Sequence, residues 1–239
     1  MFAQLKLEDL LFIDIETVPG QPSYADLDER FQELWAIKSR QLAKIEPDPA
    51  DIYERAGLYA EFGKIVCISM GILRETNDGR YTMRLKSFSN ANEKELLEDL
   101  CALLNTKFTG KSHCLCGHNI REFDIPYLCR RMLVNDICIP KLVDCTGLKP
   151  WEISHLDTMH LWRFGDSRSF VSLDLLAALF NIPSPKNDIN GAEVGRVFYE
   201  EGDLNRISRY CEQDVVTVAQ LLLRFKSLPM LRPEDIQYT

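Results

Sequence analysis

What the chain lacks narrows its class. No apolar run approaches the roughly 20 residues of a membrane-crossing helix, and Met1 to Glu8 shows neither the basic nor the apolar region of a signal peptide, so a soluble, cytoplasmic protein with no membrane partner is expected. No Pro/Gly/Ser-rich linker interrupts the 239 residues, 46% of them hydrophobic; one domain over 1–239 with a substantial core is the simplest organisation. The eight cysteines contain no C-x-x-C pair, which argues against a disulfide framework or a zinc site and for reduced, mostly buried thiols. Basic residues are in deficit: 28 Lys and Arg face 36 Asp and Glu, and the net charge of −8 argues against a protein that coats nucleic acid through a broad basic surface.

What is present is acid in apolar surroundings. Leu10-Leu11-Phe12-Ile13-Asp14-Ile15-Glu16-Thr17-Val18-Pro19 reads as a short apolar strand ended by its proline. Alternation puts Asp14 and Glu16 on one face, where two carboxylates could grip one cation; a solvated strand end is the ordinary alternative. Leu204 to Phe225 carries a helical stripe of Ile207, Cys211, Val215, Val218, Leu222 and Phe225, with Tyr210 and Asp214 intruding beside it. At about 100° per residue those two lie only about 40° apart, so a buried Asp bonded to the Tyr hydroxyl is the bland explanation. Between them, Cys114 to Leu128 runs from an alternating strand through a polar turn into a helix, with Asp124 at the junction as a candidate helix cap.

Taken jointly, the three segments resemble the 3'-5' exonucleases of the DEDD group, in its tyrosine-bearing subclass. F-I-D-I-E-T at 12–17 is similar to the first motif of that family, N-x-x-x-F-D at Asn119 to Asp124 to the second, and Y-x-x-x-D at Tyr210 to Asp214 to the third. Further similar stretches are Glu61 to Ile65, Ser172 to Leu176 and Lys186 to Val194, so that the resemblance runs from about residue 10 to 226. Within the group, the chain looks most like the predicted 3'-5' exonucleases related to the proofreading domain of family B DNA polymerases, as a free-standing relative.

The resemblance implies an α/β, ribonuclease H-like fold: a mixed central sheet flanked by helices, with a helical insertion after the first strand. It implies that Asp14, Glu16, Asp124 and Asp214 hold two divalent cations, Mg2+ or Mn2+, and that Tyr210 completes the catalytic set by orienting the attacking water. In-line hydrolysis by two metals roughly 3.5 to 4 Å apart would release nucleoside 5'-monophosphates. Asn119, Phe123 and Lys186 are the expected substrate contacts, and the expected partner is a single-stranded 3' end, DNA rather than RNA. An RNA-trimming exonuclease and a non-catalytic nucleic-acid or protein-binding module are the alternatives. Arg121, Arg130, Arg131, Arg163 and Arg168 are further candidates for phosphate contact.

Hydrophobic periodicity predicts strands near 10–17, 64–73, 80–88, 113–118 and 154–160, and helices over 92–105, 125–134, 170–181, 192–200 and 203–227, with Asn77-Asp78-Gly79 as a hairpin turn. His113 and His118 fit strand alternation, and His155 and His160, five apart, are read as packing or surface residues. Residues 20–62 form an insertion in which Phe31, Leu34, Trp35, Leu42 and Ile45 recur at helical spacing, with a second helix expected over 48–59. The usual meaning of such spacing is packing against the body; leaving the strand that bears Asp14 and Glu16, the insertion could also lie over the cleft and restrict it to a single-stranded 3' end.

Overall fold

Strand β1 (Leu10–Pro19) is buried almost throughout, which is what a near-continuous apolar run in the middle of a sheet predicts. The computed structural model describes residues 6–42, 47–166, 168–183 and 189–239. In it, β1 pairs antiparallel with β2 (Gly63–Glu75), and β2 pairs antiparallel with β3 (Tyr81–Ser89) across the expected Asn77-Asp78-Gly79 turn. On its other side β1 runs parallel to β4 (Cys114–Gly117), itself parallel to β5 (Leu156–Asp157). A last strand, β6 (Ile236–Tyr238), adds parallel to β3, so the sheet order is β5-β4-β1-β2-β3-β6.

Each sheet face is covered by helices. The odd-numbered residues Leu11, Ile13 and Ile15 pack with Ile68 and Met70 against Leu97 and Leu100 of α2 (Glu93–Lys107) and Leu128 of α3 (Asp124–Val134). The even-numbered Leu10 and Phe12 face the other way, with Leu73 and Leu85, onto Val215, Val218, Ala219 and Leu222 of a long helix, Leu204–Phe225. Burying each such valine or leucine contributes about 1.5–3 kcal/mol, so this stripe fixes the long helix on the sheet more firmly than its intrinsic propensity does.

Several elements depart from the sequence reading. The strand expected over 154–160 is only two residues long, because the Asp157 side chain accepts the amides of Met159 and His160 and so caps a helix over Thr158–Arg163. The helix expected over 170–181 is Leu173–Leu179, begun by Ser172, whose hydroxyl accepts the Leu175 amide. The 192–200 segment is an α-turn, Val194–Arg196, running directly into a π-turn, Val197–Glu201. In the insertion, the helix Glu29–Leu42 forms as expected, but the second is a 3-10 helix, Tyr53–Leu58. We number the helices in chain order α1 (Glu29–Leu42), α2, α3, α4 (Thr158–Arg163), α5 (Leu173–Leu179), α6 (Val194–Arg196) and α7 (Leu204–Phe225). Trp35 ties the two halves of the insertion together: it is fully buried against Tyr53 and Phe62 and donates its indole N–H to the Pro49 carbonyl at 2.8 Å. Ile45 lies outside the described residues. Among the described residues no helix is long and apolar enough to cross a membrane.

Candidate active site

Because β1 turns its even-numbered side chains toward α7, Asp14 and Glu16 continue the row begun by Leu10 and Phe12 and come to lie under that helix. The strand ends differently from how it begins: opposite β2, Asp14 pairs with Ser69 and Glu16 with Cys67, and the register then shifts between Glu16 and Thr17. Such a bulge at the cleft's edge is where a strand re-aims its side chains. On α7 the Cys211 sulfur approaches Asp14 directly, 3.4 Å from both its backbone oxygen and Oδ2. Tyr210 and Asp214, one residue before and three after Cys211, both line the same cleft as Asp14 and Glu16.

Asp124 reaches the cleft by a different route. The chain leaves β4 through a turn in which Asn119 takes a positive φ of 65°, a conformation asparagine tolerates better than most residues. The buried Asp157 carboxylate fixes that turn by accepting the amides of Asn119 at 3.0 Å and Arg121 at 3.1 Å, in addition to capping α4. Asp124 is then the first residue of α3 and not the residue before it, and its carboxylate accepts its own amide and that of Ile15 on β1. Asn119 and Phe123 line the cleft beside it; the Asn119 side-chain oxygen is buried and has no hydrogen-bond partner.

The resulting cavity, of about 810 Å³, gathers Asp14, Glu16, Asp124, Tyr210 and Asp214 from three distant segments. Its electrostatics follow from crowding acids away from water. Burial first, and then the charges of Asp124 and Asp214, hold the Asp14 carboxyl well above the usual range; burial and then Asp14 do the same to Glu16. Asp124 is pushed up to about 7, chiefly by burial, against the opposing pull of its two amide donors. Asp214 is raised to about 6, again chiefly by burial, with the Tyr210 hydroxyl donating to it and opposing the shift. Tyr210 is itself raised by burial and then by Asp214, so the phenol keeps its proton.

The walls contain residues that sequence reasoning did not single out. Pro22 to Ala25, with Ala50, Tyr53, Glu54, Arg55, Gly57 and Leu58, bring the insertion to the cleft, which Arg196, Tyr199 and Glu200 also line. Cys211 was read only as part of an apolar stripe. The arginines expected to contact phosphate do not line the cleft. Arg131 is a core residue, paired through two nitrogens with the buried Glu93 and donating to the Ala60 carbonyl. Arg163 bonds Glu122 and the Ser169 carbonyl and lies over the Phe170 ring; Arg121 donates to the Pro150 carbonyl, Arg168 pairs with Asp166 at 3.6 Å, and Arg130 is exposed. Lys186 lies outside the described residues. His155 is a packing residue as expected, its Nδ1 accepting the Leu115 amide, while His160 pairs with Glu122 at the surface.

With the site in view, the comparison with known families is decisive. A family described as predicted 3'-5' exonucleases related to the exonuclease domain of PolB matches residues 58–235, most of the chain. The chain belongs to that family. The match takes in Asp124, Tyr210 and Asp214, whereas Asp14 and Glu16 precede it and join them only in the folded molecule. Among solved structures, the family B DNA polymerase of the archaeon Pyrobaculum calidifontis aligns with 90% of this chain and 24% of its own, at 16% identity and a TM-score of 0.53. The chain thus spans about a quarter of that polymerase's length, and the two share the ribonuclease H-like α/β fold. E. coli Exonuclease I, solved in complex with a 5cy-dA13 oligonucleotide, aligns with 90% of this chain and 40% of its own at 12% identity and a TM-score of 0.40. No curated protein matches the chain.

Proposed function

We propose that the cleft hydrolyses phosphodiester bonds from the 3' end of single-stranded DNA and releases nucleoside 5'-monophosphates, as a member of the tyrosine-bearing DEDD subclass. The observation that carries this reading is the convergence of four carboxylates and one tyrosine, from three segments of the chain, on one cavity. The donor set fits hard divalent cations: the ligands on offer are carboxylate oxygens, whose proton affinities are raised first by burial and then by neighbouring acids, and a cation would offset both. Asp14, Glu16, Asp124 and Asp214 would hold two Mg2+ or Mn2+ ions, which supply a nucleophile at neutral pH and offset charge on the leaving oxygen.

The chain's own groups do the positioning. Tyr210, protonated and bonded to Asp214, is a poor base and a good orienter, able to hold the attacking water in line by its hydroxyl. Asn119 offers a buried carbonyl oxygen that lacks a partner, an acceptor for a donor on the terminal nucleotide. Phe123 presents a ring at the cleft wall on which a terminal base can stack. With a net charge of −8 the protein attracts the polymer locally, through the cations and the cleft, and not by its general field.

The test is incubation of the pure protein with end-labelled single-stranded DNA and RNA of matched sequence, with Mg2+, Mn2+ or EDTA, beside an Asp14→Ala/Glu16→Ala control. Metal-dependent laddering from the 3' end by the wild type alone, faster on DNA, is the expected result. Faster laddering of RNA would replace DNA as the substrate, and silence on both polymers would overturn the reading.

A further inference from the structure

Cys211 is fully buried on α7, with its sulfur 3.4 Å from Asp14 Oδ2. One ligand atom each from Asp14, Glu16 and Cys211 lies within 4.8 Å of the other two. This set differs in kind from the four carboxylates, since it joins a sulfur to two oxygens. Carboxylate oxygens suit Mg2+ and Mn2+, whereas a thiolate favours thiophilic ions such as Zn2+ and Cd2+. Bond lengths of about 2.0–2.3 Å hold the donors of a tetrahedral zinc roughly 3.5 Å apart, so the three atoms need close by only about 1 Å. The remaining partner of the Cys211 thiol is Cys67, which also contacts Ser208 Oγ at 3.6 Å and Ser69 Oγ at 3.9 Å. Cys67 therefore keeps hydrogen-bond partners when Cys211 turns to a metal. The donors come from β1 and α7, nearly 200 residues apart in the chain, which is why the missing C-x-x-C pair has no bearing on this cluster.

We propose that Asp14, Glu16 and Cys211 bind one thiophilic divalent cation, Zn2+ or Cd2+, whose occupancy competes with the hard cations the cleft uses and shuts the site. The binding half stands on the geometry alone, and the inhibitory half rests on the proposed nuclease activity. Binding breaks the Cys211 S–H bond, forms a sulfur–metal bond and releases the proton to solvent, with no change in oxidation state.

The experiment is a titration of the metal-free protein with Cd2+, without nucleic acid, read by the thiolate-to-metal charge-transfer absorption in the ultraviolet. The wild type is expected to develop the band up to one equivalent. Cys211→Ser and Cys211→Ala should lack it, and Cys67→Ser should keep it, each with a thermal melt to establish folding. Asp14→Asn/Glu16→Gln, which retains the thiol, should weaken Cd2+ binding by at least about tenfold. In parallel, the Cd2+ concentration that halves Mn2+-supported cleavage should rise at least about tenfold in Cys211→Ser relative to its own uninhibited rate. A wild type without the band, a band unchanged in the Cys211 variants, or Cd2+ affinity unchanged in the carboxylate variant overturns the site. Because the band needs no substrate, a protein that binds Cd2+ through Cys211 but cuts nothing would sink the nuclease reading and with it the inhibitory half, leaving the metal site standing, and one that cuts without the band would sink the metal site alone.

Discussion

Asp124 answers two opposed demands. It accepts two backbone amides and so helps to seat α3 on β1, yet burial penalises its charge and Asp157 and Asp214 repel it. A residue tuned for a cation is expected to weaken the cation-free fold, the usual exchange of stability for function. Asp124→Asn keeps an acceptor oxygen and removes the charge, so in EDTA at pH 8 it should stabilise the protein by about 1–3 kcal/mol, a rise in Tm of several degrees. The same variant should cut no nucleic acid, and Mn2+ should raise the Tm of the wild type more than that of the variant. A lower Tm for Asp124→Asn in EDTA would show that its amide bonds outweigh the repulsion. His155 gives the pH dependence of opposite sense. Burial, and then the Arg121 charge, lower its pKa to about 4, so it folds as the neutral imidazole that accepts the Leu115 amide. In the unfolded chain it takes a proton at an ordinary value of about 6.5. Stability from this group is therefore complete above that value and lost as pH falls toward 4, by no more than about 3 kcal/mol. Urea titrations of the wild type and His155→Gln should show the wild type's advantage shrinking from pH 7 to pH 4; a constant difference would contradict the assignment.

Among the elements, the turn between β4 and α3 depends on one side chain outside the cleft. Asp157 Oδ1 accepts the amides of Asn119, Met159 and His160, and Oδ2 that of Arg121, so that one carboxylate holds the turn and starts α4. Asp157→Ala strands those amides and is expected to cost about 2–4 kcal/mol, lowering Tm by roughly 5–15 °C. Asp157→Asn, which keeps the acceptor shared by three of them, should lose much less; equal losses would show that the carboxylate does not hold the turn. This residue also marks where the sequence stopped being legible. Alternation across 154–160 reads as a strand, but a side-chain cap, invisible to periodicity, ends the strand after two residues. Conversely, β1 and α7 were legible because long buried elements repeat their period many times, and Asp14, Glu16, Tyr210 and Asp214 showed as acids or phenols where apolar residues belong. Cys211 hid in the same stripe because a thiol is also a good core residue. β6 was missed because three residues, two of them exposed, carry no period. The arginines misled because charge alone does not say which way a side chain faces: Arg131 neutralises Glu93 in the core.

For the molecule as a whole, the question is what the insertion does to the shape of a cleft otherwise built on a shared fold. Excising residues 24–58 would be too blunt a test of this. Gly57 lies so close to β1 that an added methyl would sit 3.0 Å from the Val18 carbonyl carbon, and its own carbonyl accepts the Tyr127 hydroxyl at 2.9 Å. Losing Trp35 would likewise leave Tyr59 and Phe62 uncovered. The half of the insertion that meets the cleft is therefore part of the body, and its role must be tested at the surface it shows to substrate. Arg55 is the exposed cation that the insertion contributes to the cavity lined by the acids. If the insertion guides a single strand toward Asp14 and Glu16, Arg55 contacts a phosphate upstream of the scissile bond, where it aids binding without taking part in the chemistry. Arg55→Glu should then raise KM for single-stranded DNA by roughly tenfold with kcat little changed. Replacing the arginine by alanine should also flatten the dependence of log KM on log salt by about 0.7, the share of one phosphate contact on a single strand. A KM that stays put at every salt concentration would free the insertion of any part in substrate choice and leave it as packing alone.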